Sequence, residues 1–97
     1  MGALDTDSVK RLLHCISELK DEDECKRFFE DICTIKEVLD MAQRLDAAVL
    51  LDQGENYQNI SKTVGISTST ISRVKRCLDY GPGGYRLVLD RLKEEQA

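Results

Sequence analysis

The sequence predicts an all-α protein of five to six helices that includes a helix-turn-helix. Three observations lead there. Aromatic residues make up 5% of the 97-residue chain and there is one proline, Pro82, so the side chains that favour strands and the residue that breaks helices are both scarce. Apolar residues recur three and four apart along most of the chain, which is the repeat of one helical face. Between Tyr57 and Leu78, two such stripes are separated by a single glycine, Gly65. The length fits one domain over residues 1–97.

Each element has a local cause. The first helix is expected from Asp7 to Lys20, with Val9, Leu12, Leu13, Ile16 and Leu19 at helical spacing. The acidic stretch Asp21-Glu-Asp-Glu24 suits a helix amino end, where the backbone dipole favours negative charge. A second helix follows with Cys25, Phe28, Phe29 and Ile32. Thr34-Ile-Lys-Glu37 is a capping box, in which Thr34 and Glu37 satisfy each other's free backbone amides. It opens a longer third helix with Ile35, Val38, Leu39, Ala42, Leu45 and Val49 on one face. Gly54 ends that helix and Asn56 caps the next. The helix-turn-helix takes residues 57–79. The break Gly81-Pro-Gly-Gly84 leads to a last helix, 82–95, with Tyr85, Val88, Leu89 and Leu92 inward.

The helix-turn-helix reading rests on spacing. Ile60 and Val64 share one face of a short first helix, and Gly65 stands where the chain must turn with positive φ at little steric cost. Ile66 closes the turn from below, and the small Ser61 lets the two helices approach. Ser67 is the natural cap of the second helix, whose buried stripe is Ile71, Val74 and Leu78. Such a unit presents its second helix to the major groove of DNA.

An αα-hairpin without a ligand would use the same stripes, so charge decides between them. The chain is acidic, with net charge −4. Residues 1–55 carry fourteen acids against seven bases, and residues 79–97 carry four against three. Residues 56–78 carry Lys62, Arg73, Lys75 and Arg76 and no acid. The local field of the helix-turn-helix therefore opposes that of the whole chain. Double-stranded DNA is the expected partner. Thr68, Ser69 and Ser72 are candidate base readers, and Thr70 is a further DNA-binding candidate that lies with Thr68 near the amino end of the second helix, where such helices touch base edges. Lys62, Arg73, Lys75 and Arg76 are candidate backbone contacts, with Lys75 snorkelling from the edge of the apolar stripe. The alternative function is a helical protein-interaction module that does not bind DNA, which would not require an acid-free basic face.

Other classes find little support. The four cysteines, at 15, 25, 33 and 77, form no Cys-x-x-Cys pair, and His14 is the one histidine, so no metal site is expected. The cysteines read as small apolar side chains in a reduced cytoplasm. No apolar run approaches the ~20 residues that span a bilayer, and no basic-then-apolar leader is present, so a cytoplasmic protein without membrane contact is expected. Gly81-Pro-Gly-Gly84 lacks the Lys-Ser/Thr of a phosphate loop. With no nucleophile–base pair either, the chain is not expected to be an enzyme.

The first three helices, residues 7–55, carry more apolar surface than a small reading unit needs. A core in a chain below ~100 residues is marginal. A homodimer is expected, joined through these helices, so that two recognition helices meet DNA one turn, ~34 Å, apart.

The order of parts resembles the Trp repressor superfamily, and within it the YerC/YecD-like branch. The resemblance spans roughly residues 7–95 and is carried by Thr34-Ile-Lys-Glu37, Arg44-Leu-Asp-Ala-Ala-Val-Leu-Leu-Asp-Gln-Gly54-Glu55 and Val64-Gly65-Ile-Ser-Thr-Ser-Thr70-Ile71-Ser72-Arg73. It implies an intertwined all-α dimer with interlocked amino-terminal helices, and a DNA-reading head set by an amino-acid corepressor. The candidate effector pocket carried over is Thr34, Arg44, Arg73, Val74 and Cys77. Two guanidinium groups there suit a carboxylate or an aromatic ring. Val74 stands where the tryptophan-binding member has glycine and fills the space of the indole. Cys77 replaces a serine that supports the ligand's amino group. No cofactor is therefore expected, tryptophan included, and the effector is left unassigned. Ser61 replaces a lysine near the DNA, with Lys62 beside it as a substitute.

Overall fold

A computed structural model describes residues 2–96. Met1 and Ala97, the ends of the expected 1–97 domain, lie outside the described residues. The elements are α1 (Asp7–Ser17), α2 (Glu22–Ile32), α3 (Ile35–Asp52), α4 (Tyr57–Ile60), a π-helical turn (Ser61–Gly65), α5 (Thr68–Tyr80) and α6 (Gly84–Gln96). No strand occurs among the described residues. The all-α class is thus as the sequence predicts.

The boundaries follow the caps. The Thr6 hydroxyl accepts from the Val9 amide at 3.2 Å and starts α1. That helix ends at Ser17, three residues short of the expected Lys20, because the Glu18 amide turns back to the Cys15 and Ile16 carbonyls. Asp21 accepts from the Glu24 amide at 2.9 Å and starts α2. The capping box is present in both directions. The Glu37 amide donates to Thr34 Oγ1 at 3.1 Å, and the Thr34 amide donates to Glu37 Oε1 at 2.8 Å. Gly54, at φ +87°, closes α3.

The chain divides into two compact units, Met1–Val38 and Leu39–Ala97, so the division falls inside α3 rather than at the break before Tyr57. In the first unit neither α1 nor α2 has a buried residue. Leu12, Leu13 and Ile32 are exposed, and Phe28 meets Phe29 edge to face at 5.7 Å. The ion pairs Asp23–Arg27 and Glu30–Lys26 lie on the open surface of α2, where each is worth only a few tenths of a kcal/mol.

The second unit has a core of Ala47, Ala48, Ile60, Ile71, Val74 and Leu89. Two expectations are corrected here. The buried face of α3 is centred on Ala47 and Ala48, both at 0% exposure, whereas Ile35 is 78% and Leu39 58% exposed. Leu45 and Val49 only flank that core. Two alanines side by side let neighbouring backbones come close, which a Leu/Val stripe would prevent. On α6, Leu89 is buried and Val88 is 45% exposed. Tyr85 and Leu92, four before and three after Leu89, complete its face, while Val88 lies 100° away. The cysteines are not core residues either: Cys15 and Cys77 are exposed, and Cys25 and Cys33 half-buried. No helix among the described residues is long and apolar enough to cross a membrane.

Candidate nucleic-acid interface

Asn56 caps α4, its side-chain oxygen accepting from the Asn59 amide at 2.8 Å. The helix then widens into the π turn, which places one extra residue in the last turn before the bend. Gly65 closes that turn at φ +82°, a conformation that costs an L side chain roughly 1–2 kcal/mol. The Ser61 hydroxyl donates to the Ile66 carbonyl at 2.6 Å. Ser61 therefore does more than stay small: it bridges the turn and satisfies a carbonyl that the bend removes from the helical ladder. Ser67 caps α5, accepting from the Thr70 amide at 3.2 Å.

The side chains of α5 divide as the spacing predicts. Ile71 is 0% and Val74 2% exposed, and Leu78 packs beside them. Thr68, Ser69, Ser72, Arg73 and Arg76 are exposed, as is Lys62 on the π turn. Two candidates stand apart. Thr70 is half-buried and its hydroxyl lies 3.0 Å from that of Ser67, inside the cap. Lys75 is half-buried and pairs with Asp79 at 3.1 Å, an acid one residue past the acid-free segment. The open positive charges of the helix-turn-helix are accordingly Lys62, Arg73 and Arg76.

The candidate effector residues are spread over both units. The Thr34 hydroxyl is occupied by the α3 cap and belongs to the first unit. Arg44 and Arg73 are exposed, and Val74 is a core residue. Cys77 lines an open groove of about 520 Å³ with Leu45, Pro82, Gly84, Tyr85 and Val88. Neither arginine lines it.

One cluster went unread in the sequence. Asp52, the last residue of α3, has 14% side-chain exposure and receives a two-pronged hydrogen bond from Arg86 at 2.8 and 2.9 Å. Lys93 adds a third contact at 2.7 Å. Arg86 Nε also donates to Asp90 at 3.0 Å. The Arg86 fork, and after it Lys93, holds the Asp52 carboxyl far below the usual carboxylate range. A depressed carboxyl pKa stabilises the fold above the unfolded value and is lost only as pH falls through the folded one. The cluster is thus intact at neutral pH and in mild acid. The i,i+4 and i,i+7 spacing of Arg86, Asp90 and Lys93 was a signal of one charged face, but its partner 34 residues away was not.

These elements define a small all-α chain built around a helix-turn-helix with a positively charged outer face. Residues 7–93 match the model of the Trp repressor protein family. The chain belongs to that family. It is similar to YerC, an uncharacterised protein of Bacillus subtilis strain 168, with 51% identity over 88 residues, 91% of this chain and 85% of that protein. It also superposes on the crystal structure of a TrpR-like protein from Eubacterium eligens with TM-score 0.89 and 47% identity over 93% of each chain. A solved chain from Staphylococcus aureus superposes with TM-score 0.88 and 40% identity, over 93% of this chain and 90% of that one.

Proposed function

We propose that this protein is a sequence-specific DNA-binding transcriptional regulator, a homodimer that represses by occupying its operator. The observation that carries the reading is the outer face of α5. Ser69, Ser72, Arg73 and Arg76 project from the side opposite Ile71 and Val74, and the segment 56–78 holds no acid. Thr68, Ser69 and Ser72 read base edges, and Lys62, Arg73 and Arg76 hold phosphates. Thr70 shapes the helix cap, and Lys75 reaches phosphate only if it leaves Asp79. The dimer rests on the large apolar side chains left open in residues 4–41.

Selection from a random duplex pool at ~150 mM salt tests this, since specific sites survive salt that strips non-specific ones. The expected result is a palindrome with half-sites about one helical turn apart. Recovery of no preferred sequence, with or without added amino acids, would leave the helix-turn-helix to another partner. Arg76→Ala should weaken all sequences about equally and lower the salt slope by roughly one unit. A loss confined to one base pair would make Arg76 a reader instead.

Binding is proposed to need no tryptophan. Val74 occupies the core with 2% exposure, which leaves no vacancy for an indole beside Arg73, and Arg44 and Arg73 are then available to phosphates. Calorimetric titration with L-tryptophan should give no saturable heat. Saturable binding would restore the corepressor pocket of Thr34, Arg44, Arg73, Val74 and Cys77.

A further inference from the structure

The Asp52 cluster has a position that its chemistry alone does not explain. Asp52 precedes the helix-turn-helix by five residues, and Arg86 and Lys93 follow it on α6. The ion pairs therefore close a loop of chain whose contents are the whole reading unit, α4 to α5. Arg86 and Lys93 stand seven apart, two turns on one face, and between them Leu89 enters the core at 3% exposure. Helix α6 is thus fastened by an apolar plug with a charged contact on either side of it, and it also packs against α5. The Asp52 carboxylate takes three charge-assisted donors on two oxygens. A fork geometry of this kind fixes direction as well as distance.

From this geometry we infer that Asp52, Arg86 and Lys93 act as a positioning clamp, which sets the pose of the recognition helix α5 on the 39–52 part of α3. The clamp contributes no contact to DNA. In a dimeric reader, which rests on the function proposed above, that pose fixes the half-site spacing the protein accepts. A phosphate-binding residue changes affinity for every duplex alike. A positioning residue changes affinity for the correctly spaced site and leaves random duplex untouched.

Residual dipolar couplings of the native chain without DNA provide the first arm. In the wild type, the amides of 39–52, α5 and α6 should fit one orientation. In Asp52→Asn, which keeps the side-chain shape, α6 and α5 should no longer share the orientation of 39–52. The second arm uses the operator selected by the wild type and versions of it with one base pair added or removed between half-sites. Asp52→Asn should lose about tenfold on the best spacing, the scale of one charged hydrogen bond, and accept the altered spacings more evenly. Its binding to random duplex should stay within about twofold. A simple loss of stability would lower both kinds of binding together. If Asp52→Asn does not fold, Arg86→Lys, which keeps the charge and removes the fork, is read in its place. Helices that still fit one orientation, or an unchanged spacing preference, would overturn the clamp. Failure of the wild type to select any site would overturn the DNA reading, and the couplings would still decide the clamp.

Discussion

Ile71→Ala should lower the melting temperature of the Leu39–Ala97 unit by roughly 10–30 °C, as followed by circular dichroism. Ile71 and Ile60 are the largest side chains wholly removed from solvent, in a core of six residues. Deleting a buried isoleucine to alanine costs about 2–5 kcal/mol, the lost transfer energy plus the cavity left behind. A unit of this size holds only a few kcal/mol in total, and each kcal/mol is worth ~4–8 °C. The DNA binding proposed above should disappear with the fold, because the same side chain backs the face that carries Ser72 and Arg73. A drop below about 5 °C would mean that the core can close around the gap, and that Ile71 does not hold α5 in place.

The second large effect concerns assembly. Replacing Ile35 and Leu39 together with aspartate should leave the helix content unchanged and reduce the mass in solution to that of one chain, 11.0 kDa. Both side chains are more than half exposed, so the single chain loses little. Of the ten large apolar side chains left open among the described residues, seven fall in residues 4–41, which places most of the open apolar surface ahead of the helix-turn-helix. Two aliphatic side chains covered in a dimer are worth about 3–6 kcal/mol, so dissociation should become easier by roughly a factor of 10²–10⁴. Light scattering of the wild type at micromolar concentration should give twice the chain mass. A wild-type mass of one chain would remove the dimer from the proposed function.

The fold was legible where local chemistry decides it. Thr34 and Glu37, Asn56, Gly65 and Ser67 each specify a backbone conformation by their own side chain or lack of one, and each does so in the structure. The stripe Ile71–Val74–Leu78 was legible because a short helix with one covered side has one apolar face. The stripe of α3 misled for the converse reason. That helix carries apolar residues on two sides, and periodicity ranks Ile35 and Leu39 above Ala47 and Ala48 because it weighs side-chain size. It does not register how closely another backbone approaches. On α5, spacing placed Thr68, Ser69, Ser72, Arg73 and Arg76 outward, and they are exposed. It could not foresee that Thr70 would turn to Ser67 or that Lys75 would find Asp79. Those depend on rotamers and on a neighbour one turn along. The Asp52 cluster joins residues 34 apart, and a charge on a helix end is no guide to a partner at that distance.

The π turn has a consequence for chain length. Five residues there, Ser61–Gly65, complete a turn that an α-helix would make with fewer. Removing an exposed one of them, Thr63, would let an ordinary α-turn span the same arc. The chain should then leave in nearly the same direction, with Ile66 still on the side of the core it covers. The turn is therefore a place where a single codon can be lost without resetting the angle of the helix that follows, whereas a deletion within α5 would rotate everything after it by about 100°.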